Sequence, residues 1–329
     1  MKGFFRRFAG LLALCGLFLF RAGRSGSALV PLTERPAEER MRNVQLLSAR
    51  VPAARPTAPA EPATQALRLT LPEVPGDEVV ETTIEGGMTI KNETGYWVDA
   101  AELLAEGPGL TLPPDEPQIL IIHTHASEAY TQSGADRYSP SDDGRTEDTQ
   151  FNVVRIGDEL TEILTEAGLV VIHDRGIYDY PSYTGSYTRA GDAIAQYLES
   201  CPGIRIVLDI HRDALGANGV VYKTMAEEEG TTASQVMLLA GTDESGLEHP
   251  NWRGNLALAL YLQNAVNSAF PTLMRPVSLV PQRYNQQLTP GSLIVEVGSS
   301  GNTLREALAA VRLFGRAIAP ALLDLVAWY

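Results

Sequence analysis

Five short apolar runs mark the middle and end of this chain, and stretches of helical periodicity separate them. The runs are Ile119-Leu120-Ile121-Ile122, Leu169-Val170-Val171-Ile172, Ile204 to Ile210, Gln235 to Ala240 and Ser292 to Val297. Each has the length and aliphatic content of a buried strand. Val153, Ile156, Leu160 and Leu164 recur on one face of a predicted helix over Val153 to Ala167, at the spacing that places side chains on one side of an α-helix. Further helices are predicted over Tyr187 to Leu198, Asn255 to Ala269 and Thr303 to Val326. Strand–helix alternation from Pro117 onward predicts an α/β fold. A mixed or mostly parallel sheet is flanked by helices, with its site beyond the strand ends. No internal repeat interrupts this pattern.

Upstream the pattern changes. Residues 67–116 alternate short β-like runs with Gly and Pro, with a strand and turn at Thr89 to Tyr96 and a short helix at Asp99 to Leu104. They predict a small β-rich N-terminal lobe ahead of a catalytic domain over 117–329. Residues 25–66 are rich in Pro and Ala and predict an extended, semi-rigid linker. Residues 1–24 begin with Lys2, Arg6 and Arg7, continue with uncharged Phe8 to Phe20, and close on Arg21. This is a targeting segment, read as an uncleaved membrane anchor in preference to a cleaved signal. The basic start predicts a single-pass topology with the catalytic domain on the outer side of the cell membrane.

Composition narrows the function. The net charge of −14, with no Lys/Arg block, disfavours nucleic-acid binding. The two cysteines, Cys15 and Cys201, lie far apart in sequence. They predict neither a disulfide framework nor a cysteine-based zinc site.

The candidate chemistry sits where the apolar runs end. The first leads into His123-Thr124-His125-Ala126-Ser127-Glu128, the third into His211-Arg212-Asp213, and the last contains Glu296 between two valines. His125 and Glu128, three apart, share a face on one turn. With His211 they form a two-His, one-Glu set that leaves a coordination position open, the inventory of a zinc hydrolase. Glu296 is the expected general base, because a carboxylate in an apolar strand costs stability unless it has a task or a partner. His123 is an alternative ligand to His125 if the strand continues past Ile122. Asp148 is an alternative oxygen ligand to Glu128. His173 and His249 read as ordinary hydrogen-bonded histidines. Arg212, Arg283, Tyr284 and Asn285 are candidate substrate-binding residues, and Pro181 to Tyr187 is a Tyr/Ser loop suited to a cleft.

Several segments together resemble stage II sporulation protein P. They are ILIIHTHASEAY (119–130), NVVRIGDEL (152–160), VIHD (171–174), PSYTGSYTR (181–189), DIHRDA (209–214), HPNWRGN (249–255), RYNQQL (283–288) and VEVGSSGNT (295–303). The resemblance spans roughly residues 88–320. It implies a fold like that of zinc N-acetylmuramoyl-L-alanine amidases, with Glu296 at the position of the catalytic glutamate. It further implies a membrane-anchored peptidoglycan hydrolase with amidase and endopeptidase activity and Zn2+ as cofactor. The implied setting is engulfment during sporulation, beside stage II sporulation proteins D and M. Two other readings fit the residues: a zinc carboxypeptidase-like peptidase, and a catalytically inactive wall-binding module of a membrane complex.

Overall fold

The computed structural model of the chain describes residues 78–82 and 89–327. The expected anchor (1–24) and linker (25–66) lie outside them. Among the described residues no helix is long and apolar enough to cross a membrane.

A seven-stranded sheet organises the domain. Its strands, in spatial order, are β2 (Ile90–Asn92), β10 (Val277–Val280), β9 (Val236–Gly241), β11 (Gly291–Ser299), β5 (Ile206–Asp213), β3 (Ile119–Ile122) and β4 (Val171–His173). Every neighbouring pair is parallel except β9 with β11. The sheet is therefore two parallel blocks joined at one antiparallel seam. A smaller sheet pairs β1 (Glu78–Thr82) with β7 (Val220–Glu228), which also pairs with β6 (Gly216–Ala217) and β8 (Thr231–Ser234).

The mixed, mostly parallel sheet flanked by helices is as the periodicity predicts. The helices are α1 (Ala100–Glu106), α2 (Val153–Glu166), α3 (Ser186–Ser200), α4 (Trp252–Ala269) and α5 (Leu304–Leu323). The separate lobe expected over 67–116 does not describe what is seen. Ile90–Asn92 is the outer strand of the main sheet, and α1 packs beside α4. Its short, Gly- and Pro-bounded runs read as an independent unit because only the tertiary pairing with β10 reveals their partner.

Strand alternation divides the core in two. Ile119 and Ile121 of β3, with Ile206, Leu208 and Ile210 of β5 and Leu293, Val295 and Val297 of β11, join a large cluster. It includes Val153, Ile156, Leu160 and Leu164 of α2 and Phe314 of α5. Leu120, Ile122 and Val207 face the other way, against Ala190 and Ile194 of α3. Strands buried on both faces explain the near-continuous apolar runs. Burying one such Leu or Ile side chain contributes about 2 kcal/mol. The same parity sends Asp209, His211 and Glu296 to the α3 side of the sheet. The longest helix, α5, starts at a capping box in which Glu306 N–H donates to Thr303 and the Glu306 carboxylate accepts from Thr303 N–H. Such a cap contributes about 1 kcal/mol.

Candidate metal and catalytic site

Three adjacent parallel strands, β11, β5 and β3, deliver the site from their C-terminal ends. β3 stops at Ile122, and the chain turns at once, closed by Glu128 N–H donating to the His125 carbonyl at 3.0 Å. That turn stacks His125 and Glu128 on one side. His211 lies near the end of β5, and Glu296 is its register partner on β11. Immediately after Glu296 the register slips, and Gly298 takes φ 70°. A Cβ there would lie 2.9 Å from Ser234. A bulge that only glycine accommodates therefore ends the ladder just past Glu296, which gives a physical reason for the Val-Glu-Val-Gly run.

His125, Glu128 and His211 are all buried, and one ligand atom from each lies within 4.8 Å of the others. Glu128 stands between the rings, Oε1 at 3.5 Å from His125 Nδ1 and Oε2 at 3.3 Å from His211 Nδ1. The rings meet edge to face at 5.0 Å. Arg212 N–H donates to Glu128 Oε2 at 3.2 Å, and Arg145 Nη2 lies 3.4 Å from Oε1. Burial alone would raise the Glu128 carboxyl, but contacts with His125 and His211 outweigh it and hold it well below the usual range. Burial would lower His211, yet Asp209 and Glu128 prevail and hold it well above the ordinary imidazole value.

Three buried polar atoms in this region have no hydrogen-bond partner: Nε2 of His125, Nε2 of His211 and Oε2 of Glu296. Asp209 Oδ1 is 3.0 Å from His211 Nε2 but out of line for a hydrogen bond. Each orphaned buried atom costs about 1–3 kcal/mol. A donor set of two imidazoles and one carboxylate, with ring nitrogens left over, fits a divalent cation of the zinc type. The His125–Glu128–His211 group could hold a metal ion. Burial pushes Glu296 up to about 8; His211 offsets this, while Asp213 and Glu128 reinforce it.

Other predicted residues go elsewhere. His123 does not join the group. Its Nδ1 donates to the Ile210 carbonyl at 3.1 Å and its Nε2 pairs with His173 Nε2 at 2.8 Å. Strand alternation would have put it beside His125, but the strand ends one residue too early for that. Asp148 is exposed, accepts from Gln150 N–H and stands outside the group. Arg212 is buried with its guanidinium donating to the Ala129 and Gly144 carbonyls, so it braces the turn and is not a cleft cation. Arg283 donates to the Glu248 carbonyl at 2.9 Å. Tyr284 packs 5.3 Å from Tyr187, and Asn285 donates to the Tyr187 carbonyl at 2.7 Å.

The residues missed from sequence are Asp209, Arg145 and Asp179. Asp209 accepts from Thr124 N–H at 2.7 Å and Thr124 Oγ1 at 2.6 Å, tying the β3 turn to the strand that carries His211. Its position two before His211 was the available signal, since i and i+2 share a strand face. Arg145 bridges Glu128 and Asp179 and lies 5.0 Å over the Tyr183 ring. No local pattern marks that pair. Tyr183 stacks on His125 at 4.6 Å while remaining 55% exposed.

A family model described as Stage II sporulation protein P matches residues 70–319. The stage II sporulation protein P of Bacillus subtilis (strain 168) is 23% identical over 207 residues, covering 58% of this chain and 48% of that protein. The chain thus matches about half the length of this curated relative. Among solved structures, the N-acetylmuramoyl-L-alanine amidase AmiC2 of Nostoc punctiforme is 16% identical, with a TM-score of 0.37, covering 63% of this chain and 96% of that one. The CwlD amidase of Clostridioides difficile, solved in complex with the GerS lipoprotein, is 13% identical with a TM-score of 0.38, covering 63% of this chain and 98% of that one. With a family match that takes in the whole seven-stranded sheet, the chain belongs to the stage II sporulation protein P family.

Proposed function

We propose that this domain is a zinc-dependent peptidoglycan hydrolase that cleaves the amide between N-acetylmuramic acid and L-alanine. The carrying observation is the buried His125–Glu128–His211 group with the partnerless carboxylate Glu296 one strand away. His125, Glu128 and His211 would hold the metal. Zinc bound there supplies Lewis acidity and makes water acidic near neutral pH.

Glu296 takes the proton from the water that attacks the amide carbonyl and returns it to the leaving nitrogen. The C–N bond breaks, and a muramoyl carboxylate and a free L-alanine amine remain. A base poised near neutral pH suits both halves of that transfer. Its apolar strand setting keeps Glu296 clear of competing hydrogen bonds. Asp209 and Arg212 hold the two ligand-bearing backbones together from behind.

In this reading the chain acts on the wall during engulfment, anchored through residues 1–24 with the domain outside the membrane, beside stage II sporulation proteins D and M. Purified protein added to peptidoglycan tests the bond. Mass spectrometry should find free lactyl-muramoyl ends and stem peptides starting at L-alanine. Clipped cross-links alone would make the enzyme a peptidase. Undigested wall with protein still bound would make it the wall-binding module.

A further inference from the structure

Two tyrosines stand over the site with hydroxyls that serve no described residue. Tyr187 lies in the first turn of α3, its ring edge-on to His125 at 5.3 Å. Tyr284 comes from the loop after β10 and packs 5.3 Å from Tyr187. Among the described residues neither phenol makes a hydrogen bond, although both rings are only partly exposed.

The backbone holds this pair at a cost. Tyr284 and Asn285 are consecutive residues at φ 46° and 62°, the left-handed region that side chains other than glycine seldom occupy. Such conformations cluster where surrounding structure over-determines them for a purpose. Here Asn285 Nδ2 donates to the Tyr187 carbonyl at 2.7 Å. Gly191 leaves room for that amide, since a Cβ there would come within 3.1 Å of Asn285 Oδ1. Gln286 completes the brace, accepting from Gly241 N–H and donating to the Leu239 carbonyl. One side-chain hydrogen bond thus locks the loop carrying Tyr284 to the helix turn carrying Tyr187.

We propose that the Tyr187 hydroxyl is a catalytic hydrogen-bond donor to the carbonyl oxygen of the scissile amide, held in place by Asn285 as its positioning residue. This inference rests on the hydrolase reading above. When water adds to the carbonyl carbon, the C=O pair moves onto oxygen, and the phenol donates to that growing negative charge without giving up its proton. The Tyr187 phenol is a neutral donor that no described residue engages, beside the proposed ligand His125. A fixed donor aimed at developing charge is worth about a hundredfold or more in rate.

The test uses the metal-loaded full chain and two probes: N-acetylmuramoyl-L-alanyl peptide, and its phosphonamidate analogue, whose tetrahedral anion replaces the amide carbonyl. Tyr187→Phe should lower kcat about a hundredfold and weaken the analogue to a similar degree, with KM and metal content near wild type. Asn285→Gly accepts the left-handed φ and deletes only the clamp. It should lower kcat about tenfold in the same pattern, and it keeps the test open if Tyr187→Phe fails to fold. A Tyr187→Phe protein with wild-type kcat, or with only KM raised, would overturn the donor role while leaving the hydrolase reading standing. Wild-type protein that neither cleaves the peptide nor binds the analogue would overturn both.

Discussion

Two buried histidine pairs flank the end of β3, and they differ in one respect. Both ring nitrogens of His123 and Nε2 of His173 are engaged, by the Ile210 carbonyl and by each other, while His173 Nδ1 has Asp158 at 3.2 Å, a contact of the kind His211 Nε2 has with Asp209 at 3.0 Å. His125 and His211 each keep a buried nitrogen with no hydrogen bond. His123, His125 and His211 are similarly buried, so burial does not separate the two pairs. Their hydrogen bonds do, although His249 Nδ1, away from both pairs, is also buried without one. A completed polar pair cements the β5–β3–β4 edge, whereas an incomplete one stores a penalty that a ligand can relieve.

The largest expected contrast comes from deleting one histidine of each pair. His211→Ala should lose metal and hydrolysis together, since the remaining two ligands make a poor zinc site. His123→Ala should keep about one metal per chain, measured by elemental analysis, while losing about 2–3 kcal/mol in denaturant unfolding because it orphans His173 and the Ile210 carbonyl. Metal lost from the second and kept by the first would exchange the roles of the two pairs.

Glu296 sharpens the same contrast through pH. In metal-free protein its folded pKa of about 8 exceeds the ordinary 4.5. The folded state therefore holds this proton more tightly than the unfolded chain does. Stability from this group is full below about pH 4.5 and is lost as pH rises through 8. Glu296→Gln removes the titration. The variant should match wild type near pH 4.5 and exceed it at pH 9 by a margin on the order of 4 kcal/mol. Thermal melts at both pH values check this; a constant gap would mean Glu296 is not buried as an acid. With metal and wall fragments bound as in wild type, its turnover should fall about a hundredfold. Near-wild-type turnover would make Glu296 structural.

The smallest effect falls on the completed pair. Gly157 on α2 sits against both rings, and a Cβ there would meet His173 Nε2 at 2.5 Å and His123 Nε2 at 2.6 Å. Gly157→Ala should cost about 1–3 kcal/mol through overpacking and leave metal stoichiometry unchanged. Metal loss on that substitution would join the two pairs into one unit.

Much of this was legible before the fold was seen, and the exceptions have physical causes. Strands buried on both faces announce themselves as aliphatic runs, and β3, β5 and β11 do. β7 alternates weakly between buried and exposed positions, and β10 is four residues long. Neither leaves a strong signal. The reversed direction of β9 against β11 leaves no trace in either strand's composition. At the site, His125, His211 and Glu296 stand out because polar residues end or interrupt apolar strands. The turn of His123 away from the His125–Glu128–His211 group depends on where β3 stops, a backbone event with no residue to mark it. Arg212 looks like a cleft cation in sequence, and only the Ala129 and Gly144 carbonyls reveal its employment.

The spacing of the site along the chain also bears on how the protein comes to be folded. Thr124 and Asp209, which knit the first two ligand strands, are 85 residues apart, and Glu296 follows His211 at a similar interval. No local segment contains two of these strands, so closing them means closing long loops, the slow class of contact in folding. A half-synthesised chain holds His125 and Glu128 without His211, and a longer one holds all three without Glu296. The assembled group therefore depends on contacts of the slow, long-range class and needs β3, β5 and β11 together.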